Sequence, residues 1–175
     1  QLLRLRQLLV TPRLLGSEVQ GAALEALEEM ADTEFTAGRS IAVCTPFRQA
    51  IPFIEEVLRK LTSHIYTIHS QIKEPAAVVA DRFQQDPEIK KAIVYTIKSG
   101  ASYDAFAAST AFYIGYEWSA VDNLQAEDRL HRIGQTKTVN YYYFLHEDTV
   151  DEAVMTKLDE KTMAQRWILN TEAVL

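Results

Sequence analysis

The hydrophobic and polar positions along the chain alternate between helical spacing and short, almost continuous apolar runs. The short apolar and β-branched runs predict five strands, at residues 40–45, 64–69, 91–96, 109–115 and 138–145. Apolar residues spaced three and four apart predict helices at residues 2–9, 19–31, 47–61, 75–85 and 120–133, and from Thr149 onwards. Residues 31–39 are predicted to be a polar connection with Gly38 at its turn.

Strands and helices therefore alternate with short connections, and the 175 residues fit one domain with a full core. This pattern predicts an α/β fold with an open, mostly parallel sheet and helices on both faces. Ligands of such sheets bind outside the carboxyl ends of the strands. That rule nominates the strand ends at residues 45–47, 69–70, 96–104 and 115–118.

Composition narrows the possible partners. The formal net charge of −6 argues against a free-standing polyanion binder, so a nucleic-acid contact would need a local basic patch or another part of a longer protein. No apolar run approaches the ~20 residues of a membrane span, no signal peptide is evident, and we expect no membrane partner.

The single cysteine, Cys44, lies in an apolar run and is expected to be a buried, inert thiol in a reducing compartment. Because the chain starts without Met inside a predicted helix, we expect a piece of a longer protein.

The stretch QAEDRLHRIGQ, residues 125–135, concentrates charged and hydrogen-bonding side chains. Placed on a helix that Ser119 caps, Gln125, Arg129 and Arg132 are spaced i, i+4, i+7 and form one donor-rich stripe. Arginine forks suit phosphate oxygens, and such a row can stabilise charge on a phosphoryl group in transfer.

The spacing also permits a plainer interpretation. Asp128 precedes Arg132 by four residues, the favourable order for a helical ion pair, so the acids of this stretch can simply neutralise its arginines on a solvated surface. His131 has no second metal ligand at a suitable spacing, and the chain contains no phosphate-loop motif. Spacing alone leaves both interpretations open.

The same stretch resembles motif VI of the Swi/Snf-type ATPases, the branch of the superfamily-two helicases that translocates on double-stranded DNA. The flanking sequence resembles this family over nearly the whole chain. The matching segments are LRLRQLLVTPRLL (lead-in), SIAVCTPFRQAIPFIEEVLRK (motif IV), TIKSGASYDAFAAST (motif V), IGYEWSAVDNLQ (the block before motif VI) and FLHEDTVDEAVMTKLDEK (closing strand and helix).

The resemblance implies a single RecA-like C-terminal lobe over residues 1–175, with lead-in helices at 1–37, a core at 38–148 and a bracing helix at 149–175. ATP and Mg²⁺ would lie between this lobe and an N-terminal RecA-like lobe of the same protein, which would hold most of the Mg-ATP. By resemblance, Arg132 is the arginine finger, Arg129 is a second phosphate-facing arginine, and Gln125 is a polar ligand in the same row.

Two further sets of residues follow from the resemblance. Motif V would bring Gly100 and Asp104 near the nucleotide. Phosphates of double-stranded DNA would be contacted through main-chain N–H groups and small polar groups at Thr45, Ser70, Thr96 and Lys98.

The resemblance thus implies half of a DNA-dependent ATPase that is inactive as an isolated lobe. Two alternatives remain open: a non-catalytic interaction or regulatory domain that retains the fold, and a lobe of an RNA-acting helicase. Ser99 and Ser102 stand where motif V usually has glycine, and together with the acidic charge they motivate the first alternative. We expect an intracellular protein, in the cytoplasm or nucleoid of a prokaryote or a phage-infected cell rather than in a nucleus.

Overall fold

The computed structural model of the protein describes residues 1–99, 103–131 and 135–158, and these form one five-stranded sheet. The strands are β1 (Ile41–Thr45), β2 (His64–Ile68), β3 (Lys91–Thr96), β4 (Thr110–Ile114) and β5 (Asn140–Phe144). Their order is β2-β3-β1-β4-β5, and every neighbouring pair is parallel. The predicted α/β architecture is confirmed, because β1, β3 and β4 are buried along their whole length, as the continuous apolar runs require.

Helices cover both faces of this sheet. They are α1 (Leu2–Val10), α2 (Ala22–Thr36), α3 (Ile51–Leu58), α4 (Ala76–Gln85), α5 (Ala120–Glu127) and α6 (150–158), with short 3₁₀ turns at Pro12–Leu15 and Arg48–Ala50. Leu24, Leu27 and Ile54 pack on one face, and Phe83 and Val154 pack on the other. Among the described helices, none is both long and apolar enough to cross a membrane.

The segment before β1 differs from the prediction. Residues 32–36 continue α2 instead of forming a polar connection, and only Gly38, at φ 73°, keeps its predicted place at the turn. The helix extends because Phe35 is buried and because the Glu34 carboxylate has partners inside the fold. It accepts hydrogen bonds from Arg39, at 2.5 and 2.7 Å, and from the Thr110 hydroxyl.

Helix α5 is shorter than predicted. The Ser119 side chain caps its start as expected, accepting a 3.3 Å hydrogen bond from the Asp122 N–H, but residues 128–131 form turns. The carbonyls of Ala126 and Glu127 instead accept hydrogen bonds, both of 3.1 Å, from the hydroxyls of Tyr95 and Tyr141. The Glu127 carbonyl also accepts from the Leu130 N–H in a tighter turn, at 3.1 Å. The regular helix therefore ends at Glu127, and the predicted helix does not continue through residues 128–131.

Two local predictions can be compared directly with the structure. Cys44 is fully buried, as predicted, and burial raises the pKa of its thiol to about 12. Thr149 stands at the start of α6, where its hydroxyl accepts from the Asp151 N–H at 3.2 Å and donates to the His146 carbonyl at 2.7 Å. The predicted extension of this bracing helix through 159–175 lies outside the described residues.

Candidate functional site at the carboxyl edge of the sheet

The four nominated strand ends meet at one edge of the sheet. β2, β3, β1 and β4 are consecutive neighbours, and Thr45 lies directly beside Thr96 in the β1–β3 register. After β4 the chain turns at Gly115, whose φ is 87°. A Cβ atom there would lie 3.0 Å from Val10 Cγ2 and 3.2 Å from the Pro46 ring, so the loops after β1 and β4 approach each other closely.

The predicted DNA-contacting residues differ in accessibility along this edge. Thr45 is fully buried, and its hydroxyl accepts a 3.3 Å hydrogen bond from the Phe47 N–H. Thr96 is 8% exposed, and its carbonyl accepts from the Ser99 N–H at 3.0 Å. In this arrangement Thr45 is closed to a DNA phosphate and Thr96 is mostly buried, whereas Ser70 and Lys98 lie on the surface.

Lys98 is held by two acidic side chains. Its ammonium lies 3.1 Å from a Glu117 carboxylate oxygen and 3.5 Å from an Asp122 oxygen. The hydrogen bond to Glu117 is the main cause that raises the pKa of Lys98. The predicted phosphate ligand is therefore charged, and it is directed toward the start of α5.

A polar groove of about 250 Å³ opens at the carboxyl end of β2. Its walls include His69, Ser70, Lys73 and Ser99, so it joins the loops after β2 and β3. Burial and the nearby Arg48 guanidinium lower the pKa of His69. Apolar side chains and the Glu74 carboxylate also line the groove, so a backbone phosphate there would meet hydroxyls and the Lys73 ammonium but also one competing acid.

The structure separates the arginine stripe that helical spacing predicted. Gln125 is exposed on α5, but Arg129 follows the end of that helix and is only 7% exposed. The Arg129 guanidinium carbon lies 4.5 Å from the ring centroid of Tyr103 and 5.2 Å from that of Tyr95. Its Nη1 donates a 3.0 Å hydrogen bond to the Tyr103 hydroxyl. A contact between Arg129 and phosphate stays a prediction, and a continuous helical stripe is excluded.

Two predicted residues, Arg132 and Gly100, lie outside the described residues. Asp104, the other residue assigned to the nucleotide, is described: its carbonyl accepts a 3.2 Å hydrogen bond from Gln84 Nε2. Its proximity to a nucleotide stays a prediction.

Two glutamines that were given no role from the sequence hold the loop between β3 and β4. Gln84 of α4 accepts a 2.7 Å hydrogen bond from the Ala107 N–H. Gln135 Nε2 donates to the carbonyls of Phe106 and Ala108, at 2.9 and 3.0 Å. Because Gln135 is the last residue of the stretch QAEDRLHRIGQ, its position in the motif was the signal that could have identified it.

The lead-in helix α1 is anchored at the same edge by Arg6. This arginine is only 8% exposed, donates to the Tyr116 carbonyl, and lies over the rings of Phe47 and Trp118 at 5.5 and 5.1 Å. Lys157 of α6 lies 5.9 Å from the Trp118 ring. Burial lowers the pKa of Arg6, although two nearby carboxylates oppose that shift. An arginine inside a leucine-rich helix was the available sequence signal.

A five-stranded parallel sheet covered on both faces by helices defines the class as a RecA-like α/β lobe. Comparison with solved structures agrees: the crystal structure of the C-terminal part of the Fun30 ATPase domain matches with a TM-score of 0.69 at 22% sequence identity. The match covers 77% of this chain and 44% of that one, and it shows the fold.

Sequence comparison identifies the relatives. The chain is 28% identical over 142 residues to Helicase swr-1 of Neurospora crassa, and 30% identical over 149 residues to the chromatin-remodeling ATPase INO80 of Homo sapiens. These matches cover 80% and 84% of this chain, but the chain spans only 8% and 10% of the two relatives. No family model matches the chain. The chain is a C-terminal RecA-like lobe of the Swi/Snf type, as its motifs predicted.

The expected prokaryotic or phage setting is wrong. The relatives named above come from a fungus and a human, and one of them is a chromatin-remodeling ATPase. They point to the nucleus rather than to a prokaryotic cytoplasm. The residues of a RecA-like lobe are set by nucleotide chemistry and by packing, which are the same in prokaryotes and eukaryotes. The sequence motifs therefore gave no information about the cellular compartment.

Proposed function

We propose that this chain is the second ATPase lobe of an ATP-driven translocase that acts on double-stranded DNA. The observation that carries the proposal is the contact between motif V and motif VI on the face of the sheet that α4 and α5 cover. The Ala105 N–H donates a 2.8 Å hydrogen bond to the Arg129 carbonyl, and Gln135 bonds the carbonyls of residues 106 and 108. This contact joins motif VI to the loop that begins at the carboxyl end of β3, so it connects the two segments to which the proposal assigns nucleotide-facing residues.

ATP hydrolysis is supported by the relatives, one of which is a helicase and the other a chromatin-remodeling ATPase. We assign to Arg132 the role of arginine finger, because a guanidinium stays charged and matches the oxygens of a transferring phosphoryl group. Gln125, exposed on α5, is available to orient the nucleotide or the attacking water. Mg²⁺ and most of the triphosphate would be held by the N-terminal lobe, so we expect the isolated lobe to be inactive.

Duplex DNA would cross the same edge on the side of β2 and β3. The exposed Ser70 and Lys98, with the groove beside them, provide a hydroxyl and an ammonium for backbone phosphates. Contacts of this kind position the duplex without reading its sequence, which suits movement along DNA. The eukaryotic relatives favour a nuclear protein that works on chromatin.

A regulatory lobe without DNA engagement is the second candidate, and one observation favours it. Lys98 is paired with Glu117 and Asp122, and Thr45 and Thr96 are both buried residues. A DNA phosphate would therefore have to compete with two carboxylates for the ammonium group.

One experiment separates these functions. ATP turnover of the full-length protein is measured alone, with duplex DNA and with RNA of the same sequence, at roughly 50 and 200 mM salt. A translocase should be stimulated by duplex DNA, and the stimulation should weaken at the higher salt. A rate that ignores DNA at both salt concentrations would support the regulatory lobe, and stimulation by RNA alone would support an RNA-acting helicase.

A further inference from the structure

We infer that Tyr103 is a positioning residue that fixes the motif V loop against motif VI and so transmits DNA engagement to the ATPase site. The catalytic part of this inference rests on the proposed function. Its structural part rests on one buried hydroxyl that contacts a residue from each motif.

The Tyr103 hydroxyl bridges two side chains. It lies 3.0 Å from Arg129 Nη1 and 2.9 Å from Ser99 Oγ. Arginine can only donate, so the hydroxyl accepts from Arg129 and can use its own proton toward Ser99. Tyr103 is 5% exposed, and burial raises the pKa of its phenol, so this proton stays in place at neutral pH. The Tyr103 hydroxyl therefore links Arg129 to Ser99.

Arg129 is bound to the same loop by its backbone and by its side chain. Its carbonyl accepts from the Ala105 N–H at 2.8 Å, and its guanidinium lies over the rings of Tyr103 and Tyr95. The Tyr95 ring in turn meets Tyr103 edge-on at 5.8 Å, and the Tyr95 hydroxyl bonds the last turn of α5. A movement of the loop therefore has to move Arg129, which lies three residues before Arg132.

The other end of the bridge reaches the proposed DNA side. Ser99 follows Lys98 directly, and it lines the polar groove together with Ser70. A phosphate that orders this groove would also fix Ser99, and through Tyr103 it would fix the segment that carries the proposed arginine finger. In this account Arg129 acts through Tyr103 and not by touching the nucleotide.

The kinetic test uses Tyr103→Phe in the full-length protein, which removes only the bridging hydroxyl. Tyr66→Phe is the matched control, because its hydroxyl is also bonded, to Asp86 at 2.8 Å, but on another part of the sheet. We expect Tyr103→Phe to lower the DNA-stimulated kcat about tenfold while KM for ATP changes less than about twofold, since the chemistry is misaligned and the ATP cradle is intact. Tyr66→Phe should behave like the parent. Equal kinetics for the two variants would overturn the inference.

A double-mutant cycle tests whether Arg129 acts through Tyr103. Arg129→Lys is combined with Tyr103→Phe, and the DNA-stimulated kcat is measured for all four proteins. If the two residues act as one unit, the combined loss should be close to the larger single loss. Losses that multiply would show that Arg129 works independently, for instance by direct contact with phosphate, and would overturn this part of the inference.

A readout without catalysis keeps the inference distinct from the proposed function. Amide hydrogen exchange of residues 103–108 is compared in the parent, Tyr103→Phe and Tyr66→Phe proteins. Loss of the bridge should speed exchange at Ala105 about tenfold, with no change in the control. Unchanged exchange would overturn the inference even if ATP hydrolysis were confirmed. A parent protein without DNA-stimulated hydrolysis, but with faster exchange in Tyr103→Phe, would reject the proposed function and leave the positioning role supported.

Discussion

The Lys98 ammonium lies 3.1 Å from the Glu117 carboxylate, which ties the loop after β3 to the loop after β4. Both loops belong to the carboxyl edge, and Lys98 remains 58% exposed at its side chain. This pair therefore places a surface cation where a duplex is proposed to pass, together with an acid that competes for it.

Removing the charge of Lys98 and removing that of Glu117 should change the affinity for duplex DNA in opposite directions. We expect Lys98→Ala in the full-length protein to weaken duplex binding and to reduce the slope of log affinity against log salt by about 0.9, the contribution of one phosphate contact. Glu117→Gln should strengthen binding, because it removes a competitor for the ammonium. Both affinities are measured by titration with labelled duplex at several salt concentrations.

Lys60→Ala is the matched control, since that lysine is also paired on the surface, with Glu28 at 2.6 Å, and lies after α3. An unchanged salt slope in Lys98→Ala, or equal slopes in the two lysine variants, would remove Lys98 from the DNA contact.

Gly115 should tolerate no side chain. Its φ of 87° and the 3.0 Å approach of Val10 to the position of a Cβ predict that Gly115→Ala lowers the free energy of unfolding by about 2–3 kcal/mol. Gly38→Ala has a similar φ of 73° but open space, so it should cost only about 1 kcal/mol. Urea unfolding measures the free energy of unfolding of both variants. Equal losses would show that the close approach to Val10 and Pro46 adds nothing to the cost of a side chain at position 115.

The buried carboxylate of Glu34 should stabilise the link between α2 and β4. It is 4% exposed and accepts from Arg39 and Thr110, so Glu34→Gln should lower the free energy of unfolding by about 2 kcal/mol. The control, Glu56→Gln, breaks an exposed pair with Arg13 and should change stability by less than about 0.5 kcal/mol. A Glu34→Gln protein as stable as this control would contradict the assignment.

Acid stability should depend on Asp86. Burial acts to raise the pKa of Asp86, but hydrogen bonds from the Glu88 N–H, Tyr66 and His64 outweigh it and lower the pKa from 3.8 to about 2. The unfolded chain then takes up the proton first as pH falls, so the stabilisation is present above about pH 4 and is lost toward pH 2.

The measurement compares the parent with Asp86→Asn by urea unfolding at several pH values. The parent should be more stable by about 1–2 kcal/mol near pH 6, and the difference should close near pH 2. Asp81→Asn, on the exposed side of α4, is the control and should show no such difference. A difference for Asp86→Asn that stays constant with pH would show that its charge is not the cause.

The fold was predictable because the burial of its central strands shows in their own sequence, as short apolar runs. Residues 41–45 and 92–96 are continuous runs of apolar, aromatic or β-branched residues, and both are buried on two faces. The carboxyl-edge rule then placed the nominated loops side by side, since neighbouring parallel strands end at one edge. What local pattern could not show were partners far away in the chain: Glu34 seemed to belong to a polar loop because Thr110, its partner, is 76 residues away.

Partners far away in the chain also explain why the predicted helical stripe of the candidate site does not occur. Helical spacing placed Gln125 and Arg129 on one stripe, but Tyr95 and Tyr141, from two different strands, take the carbonyls at the end of α5. The chain then turns, and Arg129 is buried between tyrosine rings instead of facing outward. The sequence does not distinguish a buried arginine from a surface arginine. The motif therefore indicated a candidate region, and only the tertiary contacts showed where the described side chains of that region lie.

The central claim is that this lobe supplies an arginine to ATP bound against another lobe, and one measurement tests it most directly. DNA-stimulated ATP turnover of the full-length protein is compared for the parent, Arg132→Ala and the neighbouring control His131→Ala, an exposed position. We predict a loss of about 10³-fold or more for Arg132→Ala, on the scale of an arginine finger, and a rate near that of the parent for His131→Ala. Turnover close to the parent rate in Arg132→Ala would contradict the account.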